Sequence, residues 1–282
     1  MLKKASEVLA ALEIITRETD VEVLGFSSRP FVVTSFPARP TKEQTWVRRN
    51  GNARLTITSL EPGQIPFGAD RLIPIFLATR AVQCKSKTIT FDTVSEVLEL
   101  FGLAASGINY KRLSASLRRV FQSSVFFEIQ AGKFRSEERF HFISKLALWE
   151  HEPPTEQPRL PGMRNTITLS EEFYQEVLRH PIPIDIEVVK LLRNKPVTLD
   201  LYMFFAYKAA TVTRPTSIPI QDLFTALGPG PGAAQGSSHG RVFKSRLRAN
   251  IELINKLSDF KVTLLESSVS VAPSKRKVKL LP

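Results

Sequence analysis

Arg71–Val82 reads RLIPIFLATRAV, and it opens a succession that the chain then repeats: KTITF (Lys87–Phe91), TVSEVLELFGL (Thr93–Leu103), INYKRLSASLRRVF (Ile108–Phe121), VFFEIQ (Val125–Gln130) and RFHFIS (Arg139–Ser144). The answering copy runs LDLYMFFAYKAATV (Leu199–Val212), TSIPI (Thr216–Ile220), QDLFTALG (Gln221–Gly228), GRVFKSRLRANIELI (Gly240–Ile254), KVTLLE (Lys261–Glu266) and SVSVAP (Ser268–Pro273). In each copy an apolar helix leads to a short β-branched run, a short helix, a turn, a basic-and-apolar helix and a β-rich stretch. Three helices followed by a two-stranded wing is the layout of a winged helix-turn-helix domain, in which the third helix is presented to the DNA major groove. The expected fold class is therefore α+β, with two tandem winged helix-turn-helix domains and small antiparallel sheets.

Working outward, the Asn50-Gly51-Asn52 turn between TWVRR and ARLTITSL signals a β-hairpin ahead of the first copy, because both turn positions favour positive φ. HEPPTEQPRLPG (His151–Gly162) has four prolines in a dozen residues and excludes helix and most sheet. The expected domains are residues 1–150, a Pro-rich linker over 151–163, and residues 164–282 with a basic tail. A lead-in of strand TITL, helix SEEFYQEVLRH capped by Ser170, PIPID and the short helix EVVKLLRN prefaces the second copy. Val8, Leu12 and Ile15 stand at helical spacing in Lys3–Arg17, a helix that docks on something; with the first β layer it is a candidate dimer surface. The low-complexity GPGPGAAQGSSHG lies at the second copy's helix-turn-helix corner.

The third helix of each copy carries the candidate site. In the first, Leu113, Leu117, Val120 and Phe121 form a buried stripe, Lys111, Arg118 and Gln122 lie opposite it, and Arg112 and Arg119 sit on the shoulder. Guanidinium forks engage guanine edges or phosphates, and Asn109 is suited to adenine. In the second, Phe243, Leu247, Ile251 and Ile254 form the stripe, while Arg241, Lys244, Ser245 and Arg248 gather on the other side. Lys133 and Arg135 flank the wing turn and can reach phosphates or a minor groove. A solvated basic helix face is the competing reading of these charges.

Composition supports the same class of partner. Thirty-nine Lys and Arg against 27 Asp and Glu leave a formal charge of +12, which attracts polyanions. The single cysteine, Cys84, excludes an internal disulfide framework and reads as a buried small hydrophobe. No apolar run is long enough to cross a bilayer, and a cytosolic protein is expected. His141, His151, His180 and His239 include no pair at metal-ligand spacing, and there is no GxxxxGK[ST] loop. Neither catalysis nor a cofactor or metal is expected. Tyr110, Tyr174, Tyr202 and Tyr207 read as packing residues rather than nucleophiles.

The stretch WVRRNGNARLTITSLEPGQIPFGADRLIPIFLATRAVQCKSKTITF, with SEVLELFGL and KRLSASLRRVFQSSVFF, resembles the RepA-type replication initiators of bacterial plasmids. The Asn-Gly hairpin, the Pro-Phe-Gly approach, the Thr-Arg-Ala-Val…Lys-Ser-Lys helix end and the Leu-Arg-Arg helix carry the likeness, over Trp46 to Phe127. The resemblance implies a cytoplasmic bacterial protein that binds repeated double-stranded DNA at a plasmid origin, helps open it, and recruits the host initiator and replicative helicase. It also implies monomers acting at the origin and dimers repressing their own gene. Three other readings stay open: a winged-helix transcriptional repressor, an initiator with nicking or primase activity, and a protein-interaction scaffold.

Overall fold

The structure, a computed structural model, describes residues 24–148, 164–228 and 238–274. The Lys3–Arg17 helix, the Pro-rich linker, most of the Gly/Pro loop and the basic tail lie outside the described residues.

Strand β1 (Leu24–Ser27) and the short helix α1 (Arg29–Val33) precede the hairpin β2 (Thr45–Asn50) and β3 (Ala53–Ser59). Gly51 closes that hairpin at φ +53, a conformation a side chain would strain. A 3₁₀ turn at Gly68–Arg71 then delivers the first copy: α2 (Leu72–Cys84), β4 (Thr88–Phe91), α3 (Ser95–Leu100), α4 (Gly107–Phe121), β5 (Ser123–Ala131) and β6 (Phe134–His141). Next come β7 (Ile143–Ala147), β8 (Asn165–Leu169), α5 (Glu171–Arg179), β9 (Ile182–Asp185) and α6 (Ile186–Leu192). The second copy follows as α7 (Pro196–Thr211), β10 (Thr216–Pro219), α8 (Ile220–Leu227), α9 (Ser238–Leu257), β11 (Val262–Leu264) and β12 (Ser268–Val271). The repeated order read from the sequence is present in full.

Local chemistry explains the boundaries. Ser106 caps α4 by accepting from the Asn109 amide, Ser170 caps α5 by accepting from the Phe173 amide, and Asp185 accepts from the Glu187 and Val188 amides at the start of α6. Pro196 opens α7, where its missing N–H costs nothing. Helices α2 and α7 are apolar around most of their circumference, and almost every residue from Leu72 to Val82 and from Thr198 to Phe205 is buried. Such helices have no solvent face and become the centres of their units.

The two copies close their sheets differently. In the second, β10 pairs with β12 and β12 with β11. In the first, β5 and β6 extend the hairpin into the four-stranded order β2-β3-β5-β6, while β4 pairs with β8 and β8 with β7. Asn165–Leu169, expected as the preface to the second copy, is thus hydrogen-bonded into a sheet of the first. Its alternating buried residues Asn165, Ile167 and Leu169 are the reason, since they face the same interior as Ile89 and Phe91 of β4. Strand β9 likewise pairs back to β1.

One apolar core runs through both copies, from Leu55, Phe76 and Leu117 to Phe205, Leu247 and Val269. Two expected core residues lie elsewhere. Phe121 is 38% exposed because it is the last residue of α4, where the chain turns into β5. Cys84 ends α2 and is exposed, not buried.

Charges cross between the copies inside this core. Arg71, just before α2, donates to Asp200 of α7 through Nε at 2.7 Å and Nη2 at 2.9 Å, and both side chains are 4% exposed. Its remaining donors reach the Phe36 and Gly68 carbonyls. Arg48 of β2 stacks on Trp46 and donates to the carbonyls of Thr225 and Gly228 at the end of α8. Burial pulls Arg48 down to about 10, which still leaves it charged at neutral pH. A cation at a helix C-terminus meets the negative end of the helix dipole. Gly228 has no alternative, because a Cβ there would lie 2.2 Å from the Phe224 carbonyl oxygen.

A second buried cluster makes stability depend on pH. Burial pushes Glu176 of α5 up to about 8, against the attraction of Arg29 and reinforced by Glu138. Burial, with Arg29 and Arg179, pulls His180 down to about 4. Glu176's folded value is raised above its ordinary 4.5, so its contribution is complete below 4.5 and is lost as pH climbs through about 8. His180's value is depressed below 6.5, so its contribution is complete above 6.5 and is lost as pH falls through about 4. The two oppose each other until His180 has finished titrating in the unfolded chain. Above that only Glu176 acts, and stability falls by about 1–2 kcal/mol between roughly pH 6.5 and 8. Urea midpoints measured across that interval are expected to show the decline in the wild type, and Glu176→Gln is expected to remove it.

Candidate nucleic-acid interface

Helix α4 keeps Leu113, Leu117 and Val120 in the core and turns Lys111, Arg112 and Arg118 to solvent. The amphipathic period thereby sorts its basic residues, with one exception. Arg119 bends inward to a bidentate pair with Asp70, Nε to Oδ2 at 2.6 Å and Nη2 to Oδ1 at 2.8 Å, and stacks over Phe67. Ser116, also buried, donates to Asp70 at 2.5 Å. Arg119 therefore anchors the helix to the 3₁₀ turn and is only 17% exposed, which separates it from the outward set. Asn109 is tied locally: its Nδ2 donates to the Ala104 carbonyl at 2.8 Å, organising the helix start.

Helix α9 repeats the division. Phe243, Leu247, Ile251 and Ile254 are buried, while Arg241, Lys244, Ser245 and Arg248 are exposed. Lys244 donates to the Glu266 carbonyl at 2.9 Å in the β11–β12 turn, linking the helix to that hairpin. Arg246 is exposed too and joins this face. It stands beside the stripe rather than opposite it, so helical spacing alone did not select it; the signal was the density of arginine in KSRLR.

Aligning Leu117 with Leu247 brings Leu113 onto Phe243, Lys111 onto Arg241 and Arg118 onto Arg248. Each helix thus carries an outward basic pair at i and i+7 in the same register to its core. No acidic side chain lies between the members of either pair.

The β5–β6 hairpin, expected as the first wing, is less cationic than its sequence suggests. Gly132, at φ +60, makes the turn between β5 and β6, and Lys133 and Phe134 are exposed at the tip. Arg135 is engaged by Glu128 at 3.1 Å and by Glu137. On the outer face of the same sheet Arg139 stacks over Phe126, opposite it on β5. The four-stranded sheet therefore offers mixed charge, whereas the exposed basic side chains Lys111, Arg112 and Arg118 of α4 and Arg241, Lys244 and Arg248 of α9 stand with no acidic residue between them along the helix.

Among the described residues no group of three or more His, Cys, Asp or Glu is placed to hold a metal ion, and no helix is long and apolar enough to cross a membrane.

Residues 65–217 match the model of a family described as plasmid encoded RepA protein. The match contains the whole of α4 and ends before α9. Among solved structures the chain is similar to the crystal structure of selenomethionine derivatives of domains 2 and 3 of RctB. That likeness has a TM-score of 0.58 at 14% identity and covers 88% of this chain and 97% of that one. A second crystal structure of RctB domains 2–3 has a TM-score of 0.52 at 17% identity, covering 85% and 94%. The fold over most of the chain therefore recurs in another protein, at identities where only the fold is comparable. No curated protein sequence matches the chain significantly.

Proposed function

The chain belongs to the family of plasmid-encoded RepA proteins, and on that premise we propose that it initiates plasmid replication by gripping repeated duplex sequences at the origin with two winged-helix modules. The observation that carries this reading is the pair of outward basic helices, α4 and α9, held in the same register to their cores. A protein with two such helices addresses successive major-groove segments about 34 Å apart, one turn of the duplex. Phosphate contacts set its position and base-edge contacts its sequence. The binding energy of both modules bends or strains adjacent A·T-rich DNA and eases its melting. The opened origin then receives the host initiator and replicative helicase in the bacterial cytoplasm.

On this reading the protein contributes binding energy rather than bond-making. Tyr202 is buried against Phe260, and the Tyr110 hydroxyl lies 2.5 Å from that of Ser95, so both serve packing and local bonding.

Nuclease footprinting of DNA flanking the gene tests the proposal, with titrations at several salt concentrations. Protection is expected at repeated sites, with affinity falling about 10³- to 10⁵-fold between 50 and 200 mM salt if six to ten phosphates are neutralised. Salt-insensitive binding, or the absence of any protected repeat, rules the proposal out. Relaxation of supercoiled plasmid or primer synthesis by the protein with Mg²⁺ rules out its non-enzymatic part.

A further inference from the structure

Ile108, in the first turn of α4, is 65% exposed, and Val242, in the first half of α9, is 46% exposed. Both are β-branched aliphatic side chains on faces otherwise given to cations and small polar groups. Each begins the same local pattern. Ile108 is followed by Lys111, Arg112 and Ala115 at i+3, i+4 and i+7, and Val242 by Ser245, Arg246 and Ala249 at those spacings. Residues so spaced share one face of a helix, so each helix presents a lane of aliphatic carbon with an arginine set into it. Relative to the alignment of Leu117 with Leu247, the two lanes are displaced by one helical turn.

An apolar lane bordered by arginines matches one surface in particular. The DNA major groove lies between two rows of phosphates, and its apolar group is the thymine 5-methyl. The N-terminal residues of a reading helix are the ones brought to the base edges. Resting on the reading of α4 and α9 as major-groove helices, we infer that Ile108 and Val242 are specificity residues, each packing against a thymine methyl. The neighbouring Arg112 and Arg246 hold the adjacent guanine edge or phosphate. The recognised repeat accordingly carries a thymine at one defined position under each helix.

The test removes single methyl groups from the DNA. A duplex is enriched from a random-sequence pool with the full chain, and each thymine is replaced in turn by deoxyuridine. Burying one methyl is worth about a fourfold change in affinity. The wild type should lose about that factor at one thymine under α4 and one under α9. Ile108→Ala should bind the thymine duplex about fourfold more weakly and become indifferent to uracil at the first position only. Val242→Ala should do the same at the second. Both side chains are exposed, and circular dichroism and urea midpoints like those of the wild type verify that each variant folds. Sequence-specific binding with no response to any uracil overturns the inference and leaves the initiator reading standing. Uracil sensitivity that persists in both variants overturns the assignment to these residues. A pool that shows no enrichment overturns the major-groove reading and the inference with it.

Discussion

Asp200→Ala is expected to destabilise the protein by about 3–5 kcal/mol, the cost of leaving a buried charge without its partner. Asp200 accepts both hydrogen bonds of Arg71's fork, at 2.7 and 2.9 Å, with both side chains only 4% exposed. Burial pushes the Asp200 carboxyl up, and Arg71, Arg48 and a hydrogen bond from Ser35 hold it down. The alanine variant strands the Arg71 guanidinium, whose other bonds to Phe36 and Gly68 satisfy its N–H groups but not its charge. A pair of this kind contributes little net stability, because its attraction is largely spent on desolvation. Replacing both members with apolar residues, Arg71→Met with Asp200→Leu, is therefore expected to recover most of the loss. Urea unfolding of the wild type, both singles and the double gives the cycle. A loss under 1 kcal/mol for Asp200→Ala would show that the pair is solvated and does not bind the copies together.

The second large effect concerns DNA. Arg118→Ala and Arg248→Ala are each expected to weaken sequence-specific binding by about 1–3 kcal/mol if each arginine makes a bidentate base contact. Because they stand on different helices in different copies, the losses should add, to about 2–6 kcal/mol in the double variant. Stability should stay near that of the wild type, since both residues are exposed. Arg119→Ala provides the contrast: its guanidinium serves Asp70 and Phe67, so its main effect should fall on folding. Competition binding against random duplex, read beside thermal melting, separates the two classes. An unchanged affinity and footprint in the Arg118/Arg248 double variant would remove these helices from the interface.

Much of this arrangement is legible in the amino-acid sequence. The alternation in TWVRR and ARLTITSL and the Asn-Gly turn announced the β2–β3 hairpin, and the spacing of Leu113, Leu117 and Val120 announced which side of α4 would be buried. Both signals are periodic within a few residues, and a local period survives whatever the rest of the chain does. The same spacing left Arg118 and Arg119 both outside the stripe. It had no means to show that Asp70, nearly fifty residues earlier, would claim one of them. The unequal sheets were hidden for a related reason. TITL reads as a strand, but only its alternating buried side chains, set against β4 and β7, decide which copy it completes.

The repeated order of helices and strands, the buried stripes of α4 and α9, and the basic pairs opposite them follow from the amino-acid order alone, because each depends on residues one or two turns apart. That Arg119 turns to Asp70, that Arg71 and Arg48 cross to the second copy, and that Ile108 and Val242 stand uncovered among cations is settled by long-range packing. Each of those outcomes depends on which distant surface arrives beside a side chain. A charge left in a dry interior must find its partner there, however far along the chain that partner lies.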